Sequence, residues 1–290
     1  MNHTSIRKIL QYIYVATVKR IYIHLLDFEK HPPIFIYQMG KVGSTTVYRS
    51  LKEIKLPNPI FHVHCLTNSG VKKAKVFYKT NSKEIIIPPH IRLSEILLSK
   101  LDRSNSTKMK IITLVREPIG FKISNFFQNI EILSPNLIDE NGRFDKDNIL
   151  SFLENRIKMY DTKTEYVDTW FDNEIKIFCG IDVFDHPFDL NKGFCTIKQK
   201  NVDLMILRLE DLDRNFNRAL IDFLSLKRPL KMIKTNTGEK KKYSSEYQYV
   251  KDNIKIPESV CRRIYNSRFC MHFYDEKMRD GFMKKWTGNI

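Results

Sequence analysis

Apolar positions along the chain fall into short β-branched runs separated by stretches of helical period. Ile34 to Tyr37 is continuously apolar after His31-Pro32-Pro33, as expected of a buried parallel strand. A glycine-containing turn, Gly40 to Gly43, follows, and a helical pattern runs from Ser44 to about Lys55. Pro57 and Pro59 close that helix, and Ile60 to His64 reads as a second strand. Helical stretches near Gly70 to Tyr78 and Ile91 to Leu101 lead to a third strand, Ile111 to Val115. Pro118 then sits where the first turn of a helix tolerates it, and that helix extends to about Leu133. Val202 to Leu209 is another buried strand, followed by a helix to about Leu224. The end of the chain, 246–287, reads as helices, with Pro257 at an N-terminus. Strands alternating with helices predict an α/β fold, with a mostly parallel central sheet of four or five strands and helices on both faces.

The region 134–200 is less regular, with helical pieces near 147–172 and a hairpin expected around Val183 to Ile197. The pattern divides the chain into a basic helical extension, 1–30, and one α/β domain, 31–290, carrying 134–200 as an irregular insertion. Ile9 to Leu26 is the most apolar segment, but Lys19 and Arg20 interrupt it, and it falls short of the roughly 20 apolar residues of a membrane span. It reads either as a basic amphipathic helix on an anionic membrane surface or as a helix packed on the domain.

Composition narrows the partners. The 290 residues include 49 Lys+Arg and 33 Asp+Glu, a formal net charge of +16. With 42% hydrophobic residues the chain is not disordered, and its basic excess points to an anionic partner. The basic residues are spread along the sequence and match no nucleic-acid motif, so nucleic acid is not the expected partner. Five cysteines, an odd number with no C-x-x-C pair, argue against a disulfide framework or zinc module and for a reducing, cytoplasmic setting.

Candidate chemistry begins at Gln38-Met39-Gly40-Lys41-Val42-Gly43-Ser44-Thr45-Thr46, between the first strand and the first helix. A helix N-terminus presents unpaired N–H groups and the positive end of its dipole. Gly40 and Gly43 let the backbone curl around an anion, Lys41 adds a charge, and Ser44, Thr45 and Thr46 add hydroxyls. The spacing is not that of a Walker A loop, because Lys41 precedes the second glycine and no hydroxyl follows it directly. The second motif is Arg116-Glu117-Pro118, ending a strand, with Ser124 a little over two helical turns further on. Arg116 could fork onto a phosphate while Ser124 donates from the following helix.

The two motifs together resemble those of the sulfotransferases that use 3′-phosphoadenosine 5′-phosphosulfate (PAPS), a P-loop nucleotide-binding fold. Gly40 to Thr46 looks like their 5′-phosphosulfate loop, and Arg116 with Ser124 looks like their 3′-phosphate motif. Ile206 to Leu212 resembles the strand-end segment that many of them carry before a late helix, with Leu209 where an aromatic is commoner. More closely, Gln38–Ser44, Gly180-Ile181-Asp182-Val183 and His272-Phe273-Tyr274 to Trp286 resemble a bacterial group of capsular polysaccharide synthesis proteins.

The resemblance implies transfer of a sulfuryl group from PAPS to a hydroxyl or amine of a cell-surface polysaccharide or its precursor, an acidic or neutral glycan, without a metal. Lys41 would touch the 5′-phosphate and the bridging oxygen, and Arg116 and Ser124 would hold the 3′-phosphate. A base must take the acceptor's proton. His62 and His64 fall on one side of the second strand by its period of two, and His64, nearer the strand end, is favoured over His62. Glu117 and Glu210 are fallback bases. The basic loop Asn236 to Ser244 offers Lys240 and Lys242 as lid residues over the 3′-phosphate or a glycan carboxylate, or is simply a solvated charge run. Phe184, His186, Phe188 and Phe194 could stack on sugars or form a small core. The competing readings are a P-loop kinase and a non-catalytic basic protein that binds glycan or membrane.

Overall fold

A computed structural model describes residues 10–81, 87–101, 107–234 and 241–288. Five strands form one sheet in the order β2-β1-β3-β5-β4. They are β1 (Ile34–Tyr37), β2 (Ile60–Val63), β3 (Met109–Val115), β4 (Phe194–Gln199) and β5 (Val202–Arg208). β1, β2, β3 and β5 are parallel, with Ile36 registered against His62 on one side and Ile112 on the other. These strands are apolar along nearly their whole length because helices flank the sheet, so both faces need side chains that tolerate burial.

The fourth parallel neighbour expected in a purely parallel sheet is replaced by β4, which runs antiparallel to β5. The hairpin lies at 194–208, not at 183–197, and turns through Lys200 and Asn201, with Lys200 at φ 47°. No glycine marks that turn, so it has no strong sequence signature. Val183–Asp185 is instead a single 3₁₀ turn capped by Asp182.

The helices that matter for the cavity come early. α1 covers residues 10–25 and contains a π-helical turn at Val15–Lys19. α2 is Ser44–Lys52, α3 Asn68–Asn81, α4 Pro89–Leu101 and α5 Pro118–Gln128. α2 ends three residues earlier than the pattern suggests, because Lys55 already has φ 45°. The pattern 118–133 splits into α5 and a short helix, Ile130–Leu133, at Asn129.

Chain direction makes β1 the pivot of the sheet. β2 lies on one side of β1, and the chain crosses back so that β3 lies on the other. A crevice opens at the carboxyl end of such a strand, where open α/β sheets bind ligands. The segment 134–200 is not a separate module. Ile149, Leu153, Trp170 and Phe171 are buried in the same core cluster as the strands. Arg208, at the end of β5, is 2% exposed. It pairs with Asp211 and donates to the carbonyls of Phe273 (2.8 Å) and Leu190 (3.0 Å), tying the strand end to the insertion and to the C-terminal helices.

Candidate functional site

A cavity of about 1190 Å³ opens at the carboxyl ends of the parallel strands. That is room for a nucleotide and part of a second substrate. Its first wall is the β1–α2 loop. Gly40, Lys41 and Gly43 all have positive φ (87°, 54° and 81°), so the backbone curls before Ser44 opens α2. Gly43 is required for space as well as for φ, since a Cβ there would stand 2.5 Å from Cδ1 of Leu209. Lys41 shows that the turn is enforced, because a lysine gains nothing from the left-handed region.

Three cations from distant parts of the chain meet at this wall. The Arg116 guanidinium donates to the Lys41 carbonyl (3.0 Å). The Nζ atoms of Lys41 (3.3 Å) and Lys241 (3.0 Å) both donate to the same oxygen of Gln128. Burial pushes the Lys41 ammonium down to about 7, helped by the neighbouring Lys241 and then Arg116. Among the described residues none of the three forms an ion pair. Two ammonium groups on one amide oxygen, with the Arg116 guanidinium on the adjoining loop carbonyl, repel one another, and a ligand carrying several negative charges would relieve that repulsion. Ser124, Asn125 and Gln128 of α5 line the same space, with Ser124 and Gln128 one helical turn apart.

Behind the loop lies a hydrogen-bonded group centred on Gln38, which is fully buried. Its Oε1 accepts from the Gly40 amide, which fixes its Nε2 as the donor side. That Nε2 lies 3.2 Å from His62 Nε2 and 2.8 Å from His64 Nδ1. Ser44 Oγ is 3.0 Å from the same His62 nitrogen. His64 Nδ1 is also 3.2 Å from the Gln38 carbonyl oxygen. Nδ1 of His64 either accepts from Gln38 Nε2 (2.8 Å) or donates to the Gln38 carbonyl (3.2 Å), and only in the second tautomer does Nε2, which has no hydrogen-bond partner among the described residues, keep a lone pair. His62 is occupied with Ser44 and Gln38, whereas Nε2 of His64 is unengaged among the described residues.

His90, from the first turn of α4, completes a row of imidazoles. Ring centroids lie 5.4 Å apart for His62 and His64, and 5.6 Å for His64 and His90. Burial, then the neighbouring imidazoles, lower His62 to about 3 and His90 to about 4, and burial also lowers His64. The unfolded chain therefore binds more protons than the folded one below about pH 6.5. The stability these residues contribute is complete above that pH and is lost as pH falls toward 4. The expected slope is at most about 1.4 kcal/mol per pH unit for each histidine. Urea melts from pH 7 to 4.5 should show His90→Gln losing less stability than the wild type, and parallel losses in the two proteins would refute the assignment.

The opposite wall comes from the insertion and α3. Glu174, on the π-helical turn Phe171–Lys176, is the one carboxylate among the described lining residues. It accepts from the Tyr37 hydroxyl, the Leu66 amide (3.1 Å) and Thr67 Oγ1 (3.2 Å). Burial raises its pKa, and those donors partly offset the shift. Lys73, Phe77 and Tyr78 of α3 line the same cavity, with Lys163, Tyr166 and Asn173. Aromatic rings beside amide and ammonium donors are what a sugar surface requires.

Of the residues singled out from sequence, Gly40, Lys41, Gly43, Ser44, Thr45, His62, His64, Arg116 and Ser124 all line this one cavity. Thr46 is buried behind the loop, its amide bonded to the Gly43 carbonyl, and is not part of the lining. Lys240 lies outside the described residues, and Lys242 is exposed and away from the lining. Among the described residues of that loop, Lys241 reaches the cavity, and Tyr243 beside it anchors on Phe127. Glu117 caps α5 by accepting from the amides of Ile119 and Gly120 and from the Tyr265 hydroxyl, so it is not a free base. Glu210 accepts from the Glu117 amide and does not line the cavity. Phe184 and Phe188 pack on Phe273, which makes them core residues rather than a sugar platform. Lys241, Gln128, His90 and Glu174 escaped the sequence reading because no local pattern links them to the loop.

Residues 141–275 match a family model described as "Putative capsular polysaccharide synthesis protein". The match covers just under half of the chain. It contains Glu174, Lys163 and Lys241, and it excludes both the β1–α2 loop and the Arg116–Ser124 motif. Neither the curated proteins nor the solved structures include a significant match to the chain. Similarity to a capsular polysaccharide family is thus carried by the insertion, the hairpin and the C-terminal helices.

Proposed function

We propose that this protein is a PAPS-dependent sulfotransferase acting on a hydroxyl or amine of a surface polysaccharide or its precursor. The observation that carries the reading is the convergence of Lys41, Arg116 and Lys241, none in an ion pair among the described residues, on a curled glycine loop in a large cavity. PAPS carries a phosphosulfate at one end of its ribose and a phosphate at the other, which suits separated cationic contacts. Gly43, Ser44 and Thr45 would receive the 5′-phosphosulfate with Lys41, and Arg116, Ser124 and Lys241 the 3′-phosphate. A P-loop kinase fits less well, because a magnesium–ATP site needs a carboxylate near the loop. Glu174, the one lining carboxylate among the described residues, is already engaged by Tyr37, Leu66 and Thr67.

In the transfer, the acceptor oxygen attacks sulfur and forms the new S–O bond. The bond between sulfur and the bridging oxygen of the 5′-phosphate breaks, and its electrons stay on that oxygen. The acceptor's proton passes to Nε2 of His64. The products are the sulfate ester and adenosine 3′,5′-bisphosphate. Little covalent chemistry falls to the protein, so positioning and charge stabilisation dominate. Similarity to a capsular polysaccharide family and the aromatic and polar far wall support a glycan as acceptor.

The experiment is a thermal-shift comparison. At a hundredfold excess over Kd, adenosine 3′,5′-bisphosphate should add about 2.7 kcal/mol of stability, and ATP with magnesium less. Arg116→Ala should abolish the advantage of the 3′,5′-bisphosphate over adenosine 5′-monophosphate. Stabilisation by ATP with magnesium alone would favour the kinase and sink this assignment.

A further inference from the structure

We infer that α1 docks this protein on an anionic lipid surface, lying in the plane of the interface. One face of the helix holds it to the domain. Val15 and Ile23 are buried, and Lys100 of α4 donates to the His24 carbonyl (3.0 Å) at the end of α1. The other face is apolar and bare. Leu10, Ile13, Tyr14, Val18, Ile21, Tyr22 and Leu25 are all exposed, Leu25 to 79% and Ile21 to 62%. Seven of the twelve large hydrophobic side chains exposed among the described residues are therefore gathered within 16 positions. Scattered exposed apolar residues are ordinary, but a stripe along one helix face marks an interaction surface.

The occupant follows from charge and length. Arg20 lies on the exposed side of α1. α3 packs against α4, as α1 does, and carries Lys72, Lys73, Lys75 and Lys79 with no carboxylate of its own. Lys72, Lys73 and Lys79 are exposed. A second copy of a chain with net charge +16 would bring like charges together at this face, whereas an anionic headgroup layer would neutralise them. No helix among the described residues is long and apolar enough to cross a bilayer. α1 can instead rest with its apolar face among the acyl chains and Arg20 at the headgroups. Tyr14 and Tyr22 suit that boundary, since a phenol ring is apolar in body and polar at its tip. Docking does not depend on the transfer chemistry, so its test stands apart from the nucleotide experiment.

The test is co-sedimentation of the full chain with phosphatidylcholine vesicles, with and without phosphatidylglycerol. Wild-type protein should sediment with the phosphatidylglycerol vesicles and be released by salt. Ile21→Glu combined with Leu25→Glu should weaken binding by at least about tenfold while leaving the thermal melt unchanged, because both side chains are exposed. Lys72→Glu with Lys79→Glu should remove the preference for the anionic lipid. Absence of sedimentation, or equal sedimentation of the Ile21→Glu/Leu25→Glu variant, would overturn the inference. So would a lipid-free dimer in light scattering that the same variant converts to monomer, which would assign the face to a second copy.

Discussion

Lys41→Ala should lower the rate of sulfuryl transfer by about 10²–10³, the cost typical of removing one preorganised donor at a developing negative charge. Lys41 sits at φ 54° in the loop, and its side chain bonds only the exposed Gln128, so alanine keeps the backbone strain and removes only the ammonium. The substitution should therefore spare the fold. A second signature follows from the lowered pKa of about 7. An anionic donor beside Lys41 raises that pKa again, so the donor binds the protonated form more tightly. Below pH 7 the lysine is already charged and affinity should be flat. Above pH 7 each bound nucleotide must bring a proton with it, and affinity should fall by up to about tenfold per pH unit. Lys41→Ala should abolish that fall. Titration calorimetry with adenosine 3′,5′-bisphosphate at pH 6.5, 7.5 and 8.5 measures it. A wild-type transfer rate in the variant, or an unchanged pH slope, would remove Lys41 from the site.

His64→Asn should lower kcat by about 10²–10⁴ while leaving the affinity for adenosine 3′,5′-bisphosphate within about twofold. The asparagine amide can still donate to the Gln38 carbonyl, as Nδ1 of His64 can at 3.2 Å, but an amide is not basic enough to take the acceptor's proton. His62 behaves differently because its nitrogen serves Ser44 (3.0 Å). His62→Ala should raise the KM for the donor more than it lowers kcat. The wild-type acid limb of kcat/KM should lie below pH 6.5, since burial holds His64 below its ordinary value. A His64→Asn variant with full kcat, or an acid limb that survives the substitution, would move the base elsewhere.

The parts of the fold visible in sequence are those with a local cause. Ile34–Tyr37 is continuously apolar, and Ile60–Val63 and Met109–Val115 are largely so, because helices cover the sheet, and their sequence pattern marks them to within a residue or two. The antiparallel β4 was misplaced because its burial alternates weakly and its turn uses Lys200-Asn201 rather than glycine. The curled loop was legible because Gly40, Gly43 and Ser44 lie within five residues of one another. Arg116 and Ser124 stand out as a pair only through the resemblance to the sulfotransferase 3′-phosphate motif, and both line the cavity.

The sequence by itself determined the order of the parallel strands and the helices between them, the curled loop after the first strand, and the histidine pair whose side chains share one face. Each of these depends on neighbours a few residues apart, so period and spacing suffice. The tertiary structure decided which charges act together. Lys41, Arg116 and Lys241 are spread over 200 positions, and only the crossing of the chain at β1 and the return of the C-terminal segment bring them to one cavity. It also decided that Lys241 lines the cavity and Lys242 does not, with Tyr243 anchoring that segment on Phe127. Glu117 went the other way, from candidate base to helix cap, because its carboxylate meets two unpaired backbone amides before it meets the cavity.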